Sequence, residues 1–248
     1  MSEKANYDML WSNEWIELQR IGPLTKTLHR LVIKLIQPFV FDGAELLDVG
    51  CGNASLLARL AERFPTLRFS GIEGSEQAIS QVPAVVRDRI LHGNLDSGFE
   101  LNGKKFDIIT CTEVLEHLED YKPALRSIAA HVNTDGCVLI TVPHSMRYWT
   151  RADEYAGHYR RFDYDEFFKD LKDSGLRPVR YFTWGFPFAY FYYKLVTKAE
   201  PGKLMQADDS MIKQWAASLA YHLMKIDDLF TGKRWHQLVV LAQKAEGV

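Results

Sequence analysis

Glu45-Leu46-Leu47-Asp48-Val49-Gly50-Cys51-Gly52-Asn53-Ala54-Ser55 decides how the rest of the chain is read. Leu46, Leu47 and Val49 read as a buried strand. Gly50 and Gly52 turn the chain, and residues 54–64 (ASLLARLAERF) carry apolar side chains at helical spacing. Strand, glycine turn and helix together build a corner for a phosphate or a nucleoside. The glycines admit a ligand to the backbone, and the helix start offers free N–H groups. Dinucleotide sites cradle a pyrophosphate with Gly-x-Gly-x-x-Gly. Here Ser55 takes the third glycine position, and a carboxylate, Asp48, stands two residues before Gly50. A carboxylate repels a pyrophosphate and suits a cationic ligand bearing an ammonium group. The plain alternative is a glycine turn that binds nothing.

Working outward, the bounds are ordinary. The chain has 248 residues, 47% hydrophobic and 25% charged, which predicts a single domain, 1–248, with a sizeable core. A formal net charge of −2 gives no overall attraction to nucleic acid. Cys51, Cys111 and Cys137 have neither pairing nor zinc spacing, which fits a reducing compartment. The stretch MSEKANYDML lacks the apolar region of a signal peptide, and no apolar run reaches the ~18 residues of a membrane span. The expected location is the cytoplasm.

Before the strand, residues 1–42 read as a helical cap, with helices at 7–19 and 24–37 separated by Gly22-Pro23. The second puts Leu28, Val32, Leu35 and Ile36 on one face. His29 reads as a surface histidine. After the strand, residues 67–72 form a second strand that ends at Glu73. A doubly wound fold puts an acid on ribose hydroxyls about there, a little over twenty residues beyond the glycines. Further strands are expected at 90–92, 106–112, 136–143, 177–183 and 235–243. Helices are expected at 122–132, closed by residues 133–136, and at 164–174, capped by Asp163. The alternation argues for a parallel, doubly wound α/β sheet.

Glu113-Val114-Leu115-Glu116-His117 follows the 106–112 strand. In a helical turn, Glu113, Glu116 and His117 share a face at i, i+3 and i+4. Two carboxylates and an imidazole so disposed suit a divalent cation. Arg160 and Arg161, in a loop rich in aromatic and charged residues, are candidates to clamp a carboxylate or phosphate on a substrate.

Asp48, the two glycines, Glu73 and the Glu-x-x-Glu-His run together resemble the class I S-adenosylmethionine (SAM)-dependent methyltransferases over about residues 40–184 and the last strand. SAM carries both a sulfonium and an amine, as the Asp48 reading asks. The resemblance implies a Rossmann-like sheet of seven strands with the last antiparallel. The core is then 43–184 and 233–245, with N-terminal helices and an insertion, 185–232, expected to act as a lid. It implies that Asp48 orients the methionine amine, and that Gly50, Cys51, Gly52 and Thr112 line the methionyl part. Glu73 would hold the ribose, Gly74 would lie beside the adenine, and Asn94 and Leu95 would contact the adenine, with Asp96 an alternative for the polar contact. The Glu-x-x-Glu-His run is similar to that of ubiquinone-pathway O-methyltransferases and of small-RNA 2′-O-methyltransferases, where it binds metal. That makes a divalent cation a candidate at Glu113, Glu116 and His117, with His144 or His158 completing the set.

The expected reaction is transfer of a methyl group from SAM to an oxygen of a small, partly apolar molecule. His144, His117 and His158 are the candidate bases. The rival enzyme reading is a metal-assisted RNA 2′-O-methyltransferase, although nucleic acid is not the favoured partner. A non-catalytic SAM-binding interaction subunit is the third. The aromatic run Phe186-Pro187-Phe188-Ala189-Tyr190-Phe191-Tyr192-Tyr193 reads as core, as the wall of an apolar substrate pocket, or as a peripheral membrane contact with Lys194 and Lys198 at the headgroups.

Overall fold

The computed structural model describes residues 22–198, 211–230, 232 and 235–245. The helix expected at 7–19 lies outside the described residues.

Seven strands make one sheet. In chain order they are β1 (Glu45–Val49), β2 (Arg68–Glu73), β3 (Ile90–His92), β4 (Phe106–Thr112), β5 (Val132–Pro143), β6 (Leu176–Trp184) and β7 (Gln237–Lys244). Their spatial order is β3-β2-β1-β4-β5-β7-β6. β7 runs antiparallel to both its neighbours, β5 and β6, and the remaining pairs are parallel. This is the seven-stranded sheet with an antiparallel last strand that the sequence predicts. The strand order reverses between β1 and β4, and open α/β sheets bind ligands outside the carboxyl ends of their strands at such a switch point.

The central strands are buried on both faces, as parallel strands between helix layers must be. Successive side chains alternate between two cores. Leu47 and Val49 of β1, Ile109 and Cys111 of β4, and Val138, Ile140 and Val142 of β5 face one core. Leu46, Ile108, Cys137 and Leu139 face the other. The first core is closed by Leu125 and Ile128 of one helix and Phe167 and Leu171 of another. The second is closed by Val32 and Ile36 of the N-terminal helix and by Leu57 and Leu60 of the helix after β1.

The helices, in order, are α1 (Pro23–Ile36), α2 (Ser55–Arg63), α3 (Glu76–Ser80), α4 (Ala84–Arg87), α5 (Lys122–His131), α6 (Arg151–Tyr155), α7 (Tyr164–Asp173), α8 (Phe188–Lys198) and α9 (Met211–Met224). The turn expected at 133–136 belongs instead to β5. That strand begins at Val132, and its register against β4 is irregular between Phe106 and Ile108.

The two ends of the insertion are drawn together at one point, and the insertion is tied to the body at another. Asp227 is buried and accepts the backbone N–H groups of Phe188 and Ala189 at 2.9 and 2.8 Å, capping the start of α8. Asp228 takes both Nη atoms of Arg30 on α1, at 2.7 and 2.8 Å. Among the described residues, no helix is long and apolar enough to cross a membrane.

Candidate functional site

At the switch point the chain leaves β1 through a tight turn. Gly50 (φ +71°) and Gly52 (φ +55°) both occupy the left-handed region, and Ala54 follows at +57°. Gly50 has a second constraint, because a Cβ there would lie 2.4 Å from Val114 Cγ2. The turn delivers α2 with no side-chain cap from Ala54, and the Ser55 N–H at its start donates to Asn53 Oδ1 at 3.2 Å. The turn opens onto a space above the sheet. That space is a cavity of about 320 Å³.

One wall of the cavity is the turn itself: Asp48, Gly50, Cys51, Gly52, Asn53 and Ser55. Asp48 is buried and accepts the Thr110 hydroxyl at 2.7 Å. Burial, opposed by that bond and reinforced by the nearby Glu73 charge, lifts its pKa to about 7. Glu73 lies behind the turn, outside the cavity lining. Its carboxylate accepts N–H groups from Gly52 at 2.8 Å and from Gly74 and Ser75 at 2.9 Å each, which fixes the turn to the end of β2. Asn94 is exposed and bonds the Asp96 backbone N–H, and Leu95 packs into the core; neither lines the cavity.

The opposite wall is built by the ends of β4 and β7 and by the loop that carries α6. Glu113 adopts φ +54°, a costly conformation for a non-glycine residue. Only Leu115–His117 is helical, as a short 3₁₀ turn. The shared helical face predicted for Glu113, Glu116 and His117 therefore does not form. Glu113 turns away to accept hydrogen bonds from Thr141, at 2.8 Å, and from Gln237. Glu116 and His117 meet His158 instead, and one ligand atom from each lies within 4.8 Å of the others.

The electrostatics of this trio are unbalanced. Glu116 is fully buried, and neither carboxylate oxygen has a hydrogen-bond partner. Burial, with the Glu113 charge next, pushes its pKa well above the carboxylate range. Burial also lowers His117, with His158 adding to it, to about 3, so this imidazole is neutral. His158 packs edge-on to His117 with centroids 4.7 Å apart. Its Nδ1 donates to Asp153 Oδ1 at 2.9 Å. Asp153 in turn holds Arg161 side-on, Nε to Oδ1 and Nη2 to Oδ2, both at 2.9 Å. Burial works to raise Asp153, but His158 and Arg161 outweigh it and hold the carboxyl well below its usual range.

His144 stands apart from its two fellow candidates. It is buried outside the cavity lining, donates from Nδ1 to the Phe162 carbonyl at 2.8 Å, and packs against Tyr164. His29 reverses the sequence expectation of a surface position. It is only 6% exposed and lines the cavity from α1, with its pKa lowered to about 3 by burial and by the Arg59 charge.

The buried polar atoms without partners are concentrated here. His29 Nδ1, both Glu116 oxygens, Arg161 Nη1, Trp184 Nε1 and His236 Nδ1 all belong to residues that line this cavity. Folded proteins leave few such atoms, and several around one cavity mark a place for a polar ligand.

A family model described as "Methyltransferase domain" matches residues 19–181. The chain belongs to the class I SAM-dependent methyltransferases. It is 29% identical over 139 residues to the ubiquinone biosynthesis O-methyltransferase of Coxiella burnetii, covering 54% of this chain and 58% of that protein. The chain thus spans about three fifths of the length of that curated relative. The fold is shared with a Haemonchus contortus phosphoethanolamine N-methyltransferase 2 solved with S-adenosylhomocysteine (TM-score 0.66, 15% identity, 99% of this chain and 61% of that one). It is also shared with a SAM-dependent methyltransferase of Clostridium acetobutylicum (TM-score 0.57, 13% identity, 89% and 92%).

Within this methyltransferase frame, the residues that sequence reasoning missed come from the ends of β6 and β7: Trp184, His236 and Gln237 line the cavity. Tyr193, in the aromatic run offered as a pocket wall, lines it too. Tyr193 stacks on His236 with centroids 5.4 Å apart, and burial and the Arg161 charge lower His236 to about 4. The available signal was the antiparallel pairing of β7 beside β5, which brings the first residues of β7 to the carboxyl end of β5.

Proposed function

We propose that this chain transfers a methyl group from SAM to an oxygen atom of a small molecule with an apolar portion. One observation carries the proposal: the glycine turn with Asp48 faces a buried, unpartnered carboxylate and two imidazoles across a single cavity. In this reading Asp48 orients the methionine amine, and Gly50, Cys51, Gly52 and Thr112 line the methionyl part. Glu73 is offered to the ribose, with Gly74, Asn94 and Leu95 toward the adenine. Methyl transfer from a sulfonium asks chiefly for alignment in a dry site, since the leaving group is already activated.

The donor set Glu116, His117 and His158 fits a divalent cation. A carboxylate and two neutral nitrogens are common ligands, and a cation would neutralise a carboxylate that is otherwise orphaned. When bound, the cation lowers the pKa of a hydroxyl beside it. The protein's own part is to keep His117 neutral, to hold His158 by Asp153, and to exclude water by the packing of α1 and α8. Of the three candidate bases, His117 and His158 line the cavity and are offered to the acceptor's proton.

The size of the cavity and the apolar character of the insertion support a small molecule over RNA. Phe191 and Leu195 on α8 and Trp215 and Leu219 on α9 are exposed apolar pairs at i, i+4 spacing. They support a lid whose outer face touches a lipid surface. Three buried free thiols support a reducing compartment.

Calorimetry with SAM and its demethylated product tests the core of the proposal. We expect binding in the micromolar range that weakens at least tenfold in Glu73→Ala. An absence of heat, or an unchanged affinity in that variant, would overturn it.

A further inference from the structure

The loop that carries α6 does more than wall the cavity. Asp153 makes the hydrogen bonds that fix His158, its own carbonyl accepting the His158 backbone N–H at 2.9 Å. Its Oδ1 accepts from His158 Nδ1 and from Arg161 Nε, at 2.9 Å each. Its Oδ2 accepts from Arg161 Nη2 at 2.9 Å, from the Thr150 backbone N–H at 2.7 Å and from the Thr150 hydroxyl at 3.1 Å. Arg161 Nη2 also donates to Tyr193 Oη at 3.0 Å, and that hydroxyl lies 2.8 Å from Thr150 Oγ1. Asp153 is only 1% exposed and Arg161 6%.

A carboxylate has only acceptor oxygens, so the proton in the His158–Asp153 bond resides on Nδ1. A neutral His158 must then carry its lone pair on Nε2. Of its two nitrogens, Nε2 is the one free to serve the trio with Glu116 and His117. Histidines that ligate metals characteristically present one nitrogen while a carboxylate or carbonyl holds the other. Here the holding carboxylate is itself clamped by a buried guanidinium, and that guanidinium is tied to Tyr193 of the insertion helix α8.

We propose that Asp153 is a positioning residue for a cation at Glu116, His117 and His158: it fixes the tautomer and the ring orientation of His158, and Arg161 and Tyr193 hold it in place. The inference rests on the cation reading given above. It goes beyond that reading in assigning a role to a residue that is not a ligand, and in making the insertion part of the site's rigidity.

The probe is Co²⁺ alone, added to the full chain without SAM or acceptor. Affinity is read by calorimetry and ligand geometry by visible absorption. We expect the wild type to bind one Co²⁺ and Glu116→Gln to lose it. Asp153→Asn should bind 10- to 100-fold more weakly, the range typical of removing a ligand's supporting partner, with an altered absorption spectrum. Tyr193→Phe should show a smaller change in the same direction. A wild type that binds no Co²⁺, or a Glu116→Gln variant that binds equally, overturns the cation reading and the inference with it. A wild type that binds while Asp153→Asn binds with the same affinity and spectrum overturns the positioning role alone. Should Asp153→Asn fail to fold, the wild type decides. Long-range ¹H–¹⁵N spectra should show His158 protonated on Nδ1 and bare on Nε2. The opposite tautomer would overturn the inference.

Discussion

Asp48 Oδ1 accepts the Thr110 hydroxyl at 2.7 Å, across the boundary between β1 and β4 where the strand order reverses. The bond aims a buried carboxylate at the cavity from beneath the glycine turn, and among the described residues no cation bears on its charge.

The first prediction follows from its raised pKa. An Asp48 pKa of about 7 in the folded state, against 3.8 as the ordinary value, means that the folded chain binds the proton more tightly. The stability from this group is therefore fully present below about pH 4 and is lost as pH rises through 7. The span corresponds to an amount on the order of 4 kcal/mol. Asp48→Asn should flatten the stability curve between about pH 4 and 7, as followed by denaturant unfolding. A ligand ammonium favours the ionised carboxylate, so SAM affinity should rise over the same interval with release of a proton. Calorimetry in buffers of differing ionisation enthalpy reads that proton directly.

The second concerns the turn. Gly50→Ala introduces a Cβ 2.4 Å from Val114 Cγ2 at a residue with φ +71°. We expect a loss of about 2 kcal/mol or more in stability and no measurable binding of S-adenosylhomocysteine. Val114→Ala in the same chain removes the clash but leaves the left-handed backbone, which alone costs about 1 kcal/mol. The double variant should recover part of the stability. Additive effects of the two substitutions would refute the contact.

The third separates the two aspartates of the insertion. Asp227→Ala removes two charge-assisted bonds to the start of α8 from a buried position and should cost about 1–2 kcal/mol. Asp228→Ala breaks a partly exposed pair with Arg30 and should cost less than about 1 kcal/mol. Both should hasten limited proteolysis of the insertion, Asp227→Ala the more. The reverse ranking would show that the α1 contact, not the α8 cap, holds this segment down.

The fourth tests the outer face. Trp215 is 75% exposed and Leu195 71%. Sedimentation with anionic phospholipid vesicles should carry down the wild type and leave a Leu195→Ser, Trp215→Ser variant in solution. Equal sedimentation of both would remove the case for lipid contact.

Much of this was readable because local pattern and global fold agree. β3 and β4 have the bounds that their apolar runs predict, β3 being stopped by Gly93 and β4 begun after Gly103-Lys104-Lys105. The glycine turn was legible because a left-handed backbone selects glycine. The second wall was not. The spacing of Glu113, Glu116 and His117 invited a helical reading, but Glu113 takes a left-handed backbone and bonds to Thr141 and Gln237. Gln237 is separated from Glu113 by more than a hundred residues, and no periodicity reports such a pairing. His29 was misread for a different reason. At i, i+3 and i, i+7 to Val32 and Ile36 it continues their buried face, and it lines the cavity wall, whereas its polar ring suggested solvent.

β7 pairs with β5 on one side and β6 on the other, and β6 has no other neighbour in the sheet. A growing or shortened chain that stops before His236 therefore leaves β6 without a partner strand and the cavity without His236 and Gln237. The stretch that joins the outermost strand to the sheet also begins the second wall. An incomplete chain of this kind has the glycine turn and the Glu116, His117 and His158 trio in sequence, yet Glu113 lacks the Gln237 bond that holds it and the cavity lacks one side of its second wall.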